Sequence, residues 1–256
     1  MTTRSLTFLE IPENCWLDKP LFKKLFLDHG ELDATEKKAL SEDVERIRWR
    51  YTLKPDTINL APYADDQREY LEVAVLTVEL ADAKRINRLA GLIHRAIPYP
   101  LIIVFECDGK LAFSVAEKRI NQADKSRLVI EDRWLTGWID LSDPSTAQET
   151  FLSSIGLSRL PSTNFYALYQ AFVAQVIALI AAERTGTFAP ATVAVARHHA
   201  ETLQEINTLD REIAELRAKL KKETQMSGKI LLNSEIKKHK DAIVFLEQKL
   251  DSNNIN

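Results

Sequence analysis

The sequence contains little glycine. Only seven of its 256 residues are glycine, well below the average usage of about 7%. No two of them lie within ten residues of each other. Loops that approach a phosphate closely, or turn through positive φ, usually need clustered glycines. The spacing therefore excludes a Walker loop, a GxGxxG dinucleotide loop and a GxSxG nucleophile elbow.

The sequence also has few cysteines and a small net charge. Cys15 and Cys107 lie far apart in apolar contexts, which is typical of reduced thiols in a cytosolic protein. The net charge of −3 provides no general attraction to nucleic acid or to an anionic membrane. The N-terminus lacks the basic-then-apolar pattern of a signal peptide. We therefore expect a cytoplasmic protein with no membrane association.

The histidines show no metal-binding spacing. The sequence has five of them and no HxxxH, HExxH or CxxC motif, the patterns that bring zinc ligands together. No serine lies on a tight turn, and neither thiol lies near a histidine along the chain. Nucleophilic catalysis thus has no specific support. We expect no resident metal and no other cofactor.

Residues 1–52 are predicted to form a helical N-terminal segment. One helix is expected to begin at Asp18-Lys19-Pro20 and to end at His29-Gly30, because glycine commonly follows a helix. Its apolar positions are spaced for one face: Leu21, Phe22, Leu25 and Phe26. A second helix is expected from Asp33 or Thr35, with one apolar side made of Leu40, Val44, Ile47 and Tyr51. Within it, residues 46–50 contain three arginines around a tryptophan. This pattern fits either a solvated helix face or a surface that contacts phosphate or carboxylate groups.

Residues 53–142 are predicted to form an α/β core. After an irregular connector, the segments Tyr70–Leu80 and Leu101–Glu106 have the β-branched and apolar composition of buried strands. The helical pattern of Ala83–Ile97 between them predicts one parallel βαβ unit. Asp108-Gly109 then predicts a hairpin. Shorter strands at 127–130 and 137–141 would give a mixed sheet of about four strands.

Residues 143–192 are predicted to form a helical segment around one apolar helix. The eighteen positions Phe165–Ala182 carry no charge, which just meets the length of a membrane span. Gln170 and Gln175 interrupt the run, and no second span or basic flank accompanies it. We therefore interpret it as a buried core helix.

Residues 193–256 are predicted to form a coiled coil or a helical hairpin. Apolar residues step by three and four along two seams, and the two seams are out of phase. A turn near 226–229 would fold the tail into a hairpin, whereas a stutter would leave one long helix. We expect the seams to contact either each other or a partner protein, through Leu209, Ile213, Leu216, Leu220, Ile236, Ile243 and Leu246. The fold class predicted overall is α+β.

Two sets of residues are candidates for chemistry or binding. A Mg²⁺-dependent nuclease needs carboxylates on adjacent strands, and Glu79, Asp108 and Glu117 lie at predicted strand ends. No Glu-x-Lys step accompanies them, and strand-end carboxylates are usually only solvated. Basic residues form the second set, namely Arg88, Arg95, Lys118 and Arg119. Together they would make a phosphate or DNA contact, and apart they would be ordinary solvated charges.

Several segments resemble one bacterial family. They are Arg46–Trp49, Val75–Leu80, Asn87–Pro100, Ala116–Ala123 and Lys222–Lys237. The chain is similar over nearly its whole length to domain-of-unknown-function family 4391. The resemblance implies proximity to genes for helicase-type ATPases and DNA methyltransferases in defence or restriction-modification loci. It implies no catalytic residues.

The functional hypothesis is therefore a non-catalytic accessory or scaffold subunit of an anti-phage defence or restriction-modification complex. Its expected partner is a helicase-type ATPase or a DNA methyltransferase, bound through the tail, with DNA contacted by the basic residues. The tail could also join two copies of the chain. The alternatives are a divergent Mg²⁺-dependent nuclease and a stand-alone DNA-binding module.

Overall fold

A computed structural model describes residues 6–29, 31–124 and 128–252, without the side chains of His29 and Ser252. The helices are α1 (Lys23–His29), α2 (Ala34–Glu42), α3 (Pro55–Ile58), α4 (Ile86–Ala96), α5 (Thr146–Ser154), α6 (Phe165–Thr185), α7 (Val193–Lys222) and α8 (Met226–Ser252). The strands are β1 (Trp16–Pro20), β2 (Val44–Leu53), β3 (Tyr63–Ala64), β4 (Glu69–Tyr70), β5 (Val73–Leu80), β6 (Leu101–Cys107), β7 (Lys110–Ile120), β8 (Leu128–Leu135) and β9 (Ile139–Asp140). The predicted α+β class is confirmed.

One mixed sheet organises the fold. Its strand order is β1-β2-β5-β6-β7-β8, and β9 also pairs with β7. Every pairing is antiparallel except β5 with β6, which α4 connects, so the predicted βαβ unit is confirmed. The sheet has seven strands rather than about four. Strands β3 and β4 form a separate hairpin.

The turn between β6 and β7 confirms the hairpin expected from Asp108-Gly109. Cys107 pairs directly with Lys110, so the two residues between them make the whole turn. Both have positive φ, 48° for Asp108 and 79° for Gly109. This conformation matches the right-handed twist of the strands, and Asp-Gly adopts it readily. Neither cysteine forms a disulfide; both are free thiols.

The N-terminal region is only partly helical. Helices α1 and α2 match the two predicted helices, and Asp33 and Glu36 form a capping box at the start of α2. The predicted continuation of the second helix to Tyr51 is wrong, because residues 44–53 form β2. Apolar spacing there fits a helix locally, yet pairing with β5 satisfies the backbone of β-branched and aromatic residues better. β1 and β2 thus join the same sheet as the strands of 53–142.

The first predicted helix also differs in its details. Leu21 and Phe22 precede α1, and residues 16–20 form the edge strand β1. Phe26 is buried, whereas Phe22 and Leu25 are exposed, so the four apolar residues do not share one covered face. α1 ends at His29, and Gly30 lies outside the described residues. Residues 125–127 also lie outside the described residues, and they include the first residue of the strand predicted at 127–130.

The sheet separates two apolar cores. Helices α2 and α4 cover one face, where Leu40, Leu89 and Ile93 are buried against β5 and β6. Helices α5 and α6 and the tail cover the other face, around Phe113, Phe151 and Phe172. Helix α6 is the one described helix long and apolar enough to cross a membrane, and 78% of its apolar window is buried inside the protein. It is therefore the predicted core helix.

The tail is a helical hairpin rather than one long helix. Helix α7 ends at Lys222 and α8 begins at Met226, so the chain turns at 223–225, just before the predicted position. Gly228 lies within the first turn of α8, where an added Cβ would meet the Glu223 carboxylate at 2.8 Å. The inner seam is buried at Ile213, Ile236 and Ile243. The two predicted seams therefore cover each other.

Candidate functional site

A polar cleft lies between strands β7 and β8 and helices α6 and α7. Its volume is about 380 Å³, within the range of roughly 300–1,000 Å³ that small-molecule sites occupy. Charged side chains of β7 and β8 form its polar end, and small apolar side chains of α6 and α7 line the rest together with Arg197 and Glu201 of α7. The cleft is a polar space at this edge of the sheet that is open to solvent on one side.

Two carboxylates form the centre of the polar end. Glu117 of β7 and Asp132 of β8 are directly paired across the strands, which brings their side chains close together. Gln170 Nε2 of α6 donates to Glu117 Oε1 at 3.0 Å, and Gln204 Nε2 of α7 donates to Asp132 Oδ1 at 2.5 Å. Each helix thus holds one carboxylate through an amide.

Burial raises the pKa of both central carboxyls. The Glu117 pKa is raised first by burial and further by the charges of Asp132 and Glu131, while the Gln170 hydrogen bond opposes the shift. The Asp132 pKa is raised by burial and by Glu131. Carboxylates with raised pKa values in a cleft are typical of functional sites, although ion-pair networks produce them too.

Glu131 anchors the rim of the cleft. Its two oxygens bind Arg68 Nη2 at 2.6 Å and Arg119 Nε at 3.2 Å. The Arg68 guanidinium also lies 6.0 Å from the centre of the Tyr166 ring, and Tyr166 stacks on Tyr63 with a centroid distance of 4.8 Å. This network fixes the β3–β4 hairpin against β8 and α6.

The structure does not bring the three predicted nuclease carboxylates together. Glu79, at the end of β5, binds Arg46 Nη2 at 2.8 Å. Asp108 lies in the turn that begins β7, while Glu117 lies seven residues beyond Lys110, about 23 Å along an extended strand. Only Glu117 lines the cleft. Within the described residues, no group of three His, Cys, Asp or Glu side chains could hold a metal ion.

The predicted basic residues do not form one patch. Arg88 binds Asp33 at 3.2 Å, and Arg95 binds Glu36 at 2.7 Å. Arg119 lies on the rim of the cleft against Glu131, as described above. Lys118 is buried, with 5% exposure, so its assignment as a surface phosphate contact is wrong. Neighbouring residues of a strand point to opposite faces of the sheet, so the side chains of Lys118 and Arg119 lie on different faces.

Lys118 instead closes the end of helix α4. Its Nζ donates to the carbonyl oxygens of Ile97 at 2.5 Å and Tyr99 at 2.9 Å. A cation is favourable at a helix C-terminus, yet burial lowers the pKa of Lys118 to about 7. His94 lies nearby with its Nε2 3.1 Å from Ser114 Oγ, and its pKa is lowered by burial and by Lys118.

The predicted partner residues of the tail lie between its two helices. Ile213, Ile236, Ile243 and Leu246 are buried, and Leu209, Leu216 and Leu220 are partly buried against the same core. Apolar side chains that remain exposed lie on the outer side of α8, namely Met226, Ile230, Leu231, Val244 and Phe245. A spacing of fourteen residues relates Ile230 to Val244 and Leu231 to Phe245, so the sequence itself carries a repeat that marks this face.

Sequence reasoning also missed most of the cleft. Asp132, Arg68 and Gln204 belong to three separate elements, and no local motif relates them. Besides Glu117, the signal in the sequence was Gln170, which with Gln175 is one of two amides inside the apolar run of α6. It marks the face of α6 that turns away from the core toward Glu117.

No curated protein and no solved structure matches the chain. One family model matches residues 9–243, a stretch that begins before β1 and ends within α8. The match covers most of the chain, including every strand of the sheet and the residues of the cleft. It confirms the resemblance noted from the sequence, and the chain belongs to the family described as Domain of unknown function (DUF4391).

Proposed function

We propose that the protein is a cytoplasmic, non-catalytic accessory subunit of a bacterial defence or restriction-modification complex. It docks a helicase-type ATPase or a DNA methyltransferase through the turn end of its helical hairpin. The observation that carries the proposal is this end of the hairpin, residues 211–238, which extends past the body and exposes apolar side chains.

The contacts of the hairpin change along its length. Near its base, Arg184 of α6 binds both Asp210 of α7 and Glu247 of α8. Beyond Asp210, the polar contacts described for residues 211–238 join residues of the hairpin itself, such as Glu212 with His239. Helix α7 has 30 residues against 21 in α6, or about 45 Å against about 32 Å. The turn end of the hairpin thus extends beyond α6, the helix that contacts its base.

The exposed apolar residues at this end suit a protein partner. Met226, Ile230 and Leu231 are 72%, 60% and 68% exposed, and each would contribute about 1.5–3 kcal/mol if fully buried. Lysines surround them, including Lys219, Lys221, Lys222 and Lys229. The complementary surface is an apolar groove with a carboxylate rim.

A contact with DNA stays a prediction for Arg88 and Arg95. Both are about half exposed, at 45% and 50% of their side chains. To bind DNA, Arg88 would exchange its contact with Asp33 for a phosphate, and Arg95 would do the same with its contact to Glu36. The Arg88–Asp33 pair is exposed on both sides and therefore weak enough to exchange, whereas Glu36 is only 9% exposed and would be left buried without its partner.

Co-purification of the tagged full-length protein from its native host tests the proposal. The wild type is expected to retain a helicase-type ATPase or a DNA methyltransferase, and the double variant Ile230→Asp, Leu231→Asp to lose it. The matched control Gln248→Asp, exposed on the same helix away from the turn, should retain it. Retention by the double variant, or a wild type that carries neither enzyme, would refute this docking mode. A wild type that associates only with itself would replace it with self-association.

A further inference from the structure

The cleft has a lining of two chemical kinds. Small apolar side chains, including Val173, Ala174 and Ala200, line the helical part beside Arg197 and Glu201. Carboxylates line the strand part, around Glu117 and Asp132. A ligand that fills both parts therefore has an apolar stem and a head that carboxylates recognise.

Negative charge predominates in the cleft. Four carboxylates line it, from Glu117, Glu131, Asp132 and Glu201, against the guanidinium groups of Arg68 and Arg197. Arg68 is held by Glu131 on the rim, with a contact of 2.6 Å. The charge of Arg68 also acts on Glu117 and lowers its pKa, but neither Glu117 nor Asp132 forms an ion pair in the described part of the chain. Partly buried carboxylates without a cation carry a desolvation cost, which a bound cation would relieve.

A buried hydroxyl lies next to the cleft. Tyr70 is 2% exposed, and in the described part of the chain no group bonds its hydroxyl at full hydrogen-bond geometry, although the backbone N–H of Lys118 faces it. Glu117, Tyr166 and Arg68 are among the groups whose charges act on it, and all three line the cleft. A buried polar group without a partner is unusual in a folded protein. The hydroxyl of Tyr70, which does not itself line the cleft, is therefore a polar group behind the carboxylates whose own O–H has no acceptor in the described part of the chain.

We propose that the cleft binds an organic cation, a primary ammonium or guanidinium group on an alkyl stem. The head lies between Glu117 and Asp132, each of which accepts one amide hydrogen bond and, as a carboxylate, has further lone pairs for a donor. The stem lies along Val173, Ala174 and Ala200. A free polyamine and the lysine or arginine side chain of a bound protein share this chemistry.

A divalent metal fits the cleft less well. Mg²⁺ requires octahedral oxygen coordination and keeps several waters. The two amides instead present their Nε2 groups to the carboxylates, and half of the lining is apolar. The inference does not rest on the proposed accessory function, because the cleft lies at the base of the hairpin and not at its turn end.

Isothermal titration calorimetry of the full-length protein at low ionic strength tests the proposal. The probes are spermidine, N-acetyl-arginine amide, its uncharged isostere N-acetyl-citrulline amide, and MgCl₂. The wild type should bind at least one of the two organic cations and not the citrulline compound. Binding should weaken about tenfold or more in Glu117→Gln and in Asp132→Asn, because each loses a charge-assisted hydrogen bond. Glu215→Gln, an exposed carboxylate elsewhere on α7, is the matched control.

The outcomes separate the sources and the alternatives. Binding of spermidine alone identifies a free polyamine, and binding of the arginine amide identifies a protein side chain. Equal binding by the citrulline compound or by the Glu117→Gln variant would overturn the proposal. No binding of either cation by the wild type, or binding of Mg²⁺ alone, would also overturn it. Thermal unfolding of the variants, which keep the size of the native side chains, shows that each is folded.

Discussion

The two faces of the sheet treat buried charge in opposite ways, and neighbouring residues of β7 show the contrast. Glu117 and Lys118 are adjacent, so their side chains point to opposite faces. Burial shifts the pKa of both toward the neutral form, up for Glu117 and down for Lys118. Lys118 is enclosed by carbonyl oxygens, whereas Glu117 borders an open cleft.

The difference separates structural charge from available charge. On the α4 face, cations meet acceptors of the chain itself, as with Arg85, which binds both Asp43 and Glu42. On the α6–α7 face, Glu117 and Asp132 accept hydrogen bonds from amides and form no ion pair among the described residues, although the charge of Arg68 acts on Glu117. The first face stabilises the fold. The second retains binding capacity.

Removal of Lys118 should have the largest effect on this contrast. Lys118→Ala leaves two carbonyls at the end of α4 without their donor and opens a cavity, so we expect the free energy of unfolding to fall by about 2–4 kcal/mol. Urea denaturation measures it. A loss of less than about 0.5 kcal/mol, as at an ordinary surface site, would contradict the division into a structural and an available face.

The stability should next depend on pH through Lys118. The unfolded chain holds the lysine proton up to about pH 10.4, whereas the folded chain releases it near pH 7. The unfolded state therefore binds more protons between these values, and stability should rise with pH by up to about 1.4 kcal/mol per unit. Urea midpoints at pH 7 and 9 test the slope, with Lys118→Met as the variant that should lack it. The same slope in both proteins would contradict the assignment.

The Glu117 face should show a smaller dependence of opposite sign. The raised pKa means that the folded protein holds this proton at a pH where the unfolded chain has lost it. Stability from this group is thus lost as the pH rises from the ordinary carboxyl range through the raised value. Glu117→Gln should raise the urea midpoint at neutral pH, with a gain smaller than the Lys118→Ala loss. A lowered midpoint would show that the ionised carboxylate is itself stabilising.

The exposed ion pairs of the α4 face should matter least. Arg88→Gln breaks a contact with Asp33 between side chains that are 45% and 56% exposed. Such pairs contribute little to stability, so the free energy of unfolding, measured by thermal denaturation, should change by less than about 0.5 kcal/mol. The same variant reduces DNA retardation at low salt if Arg88 contacts phosphate. A large loss of stability would place Arg88 among the structural charges.

Local patterns were sufficient for several elements. The apolar run of β6, the Asp108-Gly109 turn, the charge-free helix α6 and the two seams of the tail could all be predicted, because each depends on neighbours within about one turn or one hairpin. Local spacing failed for β2. Its apolar residues step by three and four, as in a helix, but its backbone pairs with β5 across a long stretch of chain.

The sequence by itself determined the α+β class, the parallel crossover and the helical tail, since periodicity and turn residues act over short distances. Only the tertiary structure decided which charges are enclosed and which remain available. The pairing of β7 with β8 puts Asp132 beside Glu117, and alternation along β7 sends Lys118 under α4. Register and layer packing are long-range properties, and a change of one residue in register would exchange the two faces.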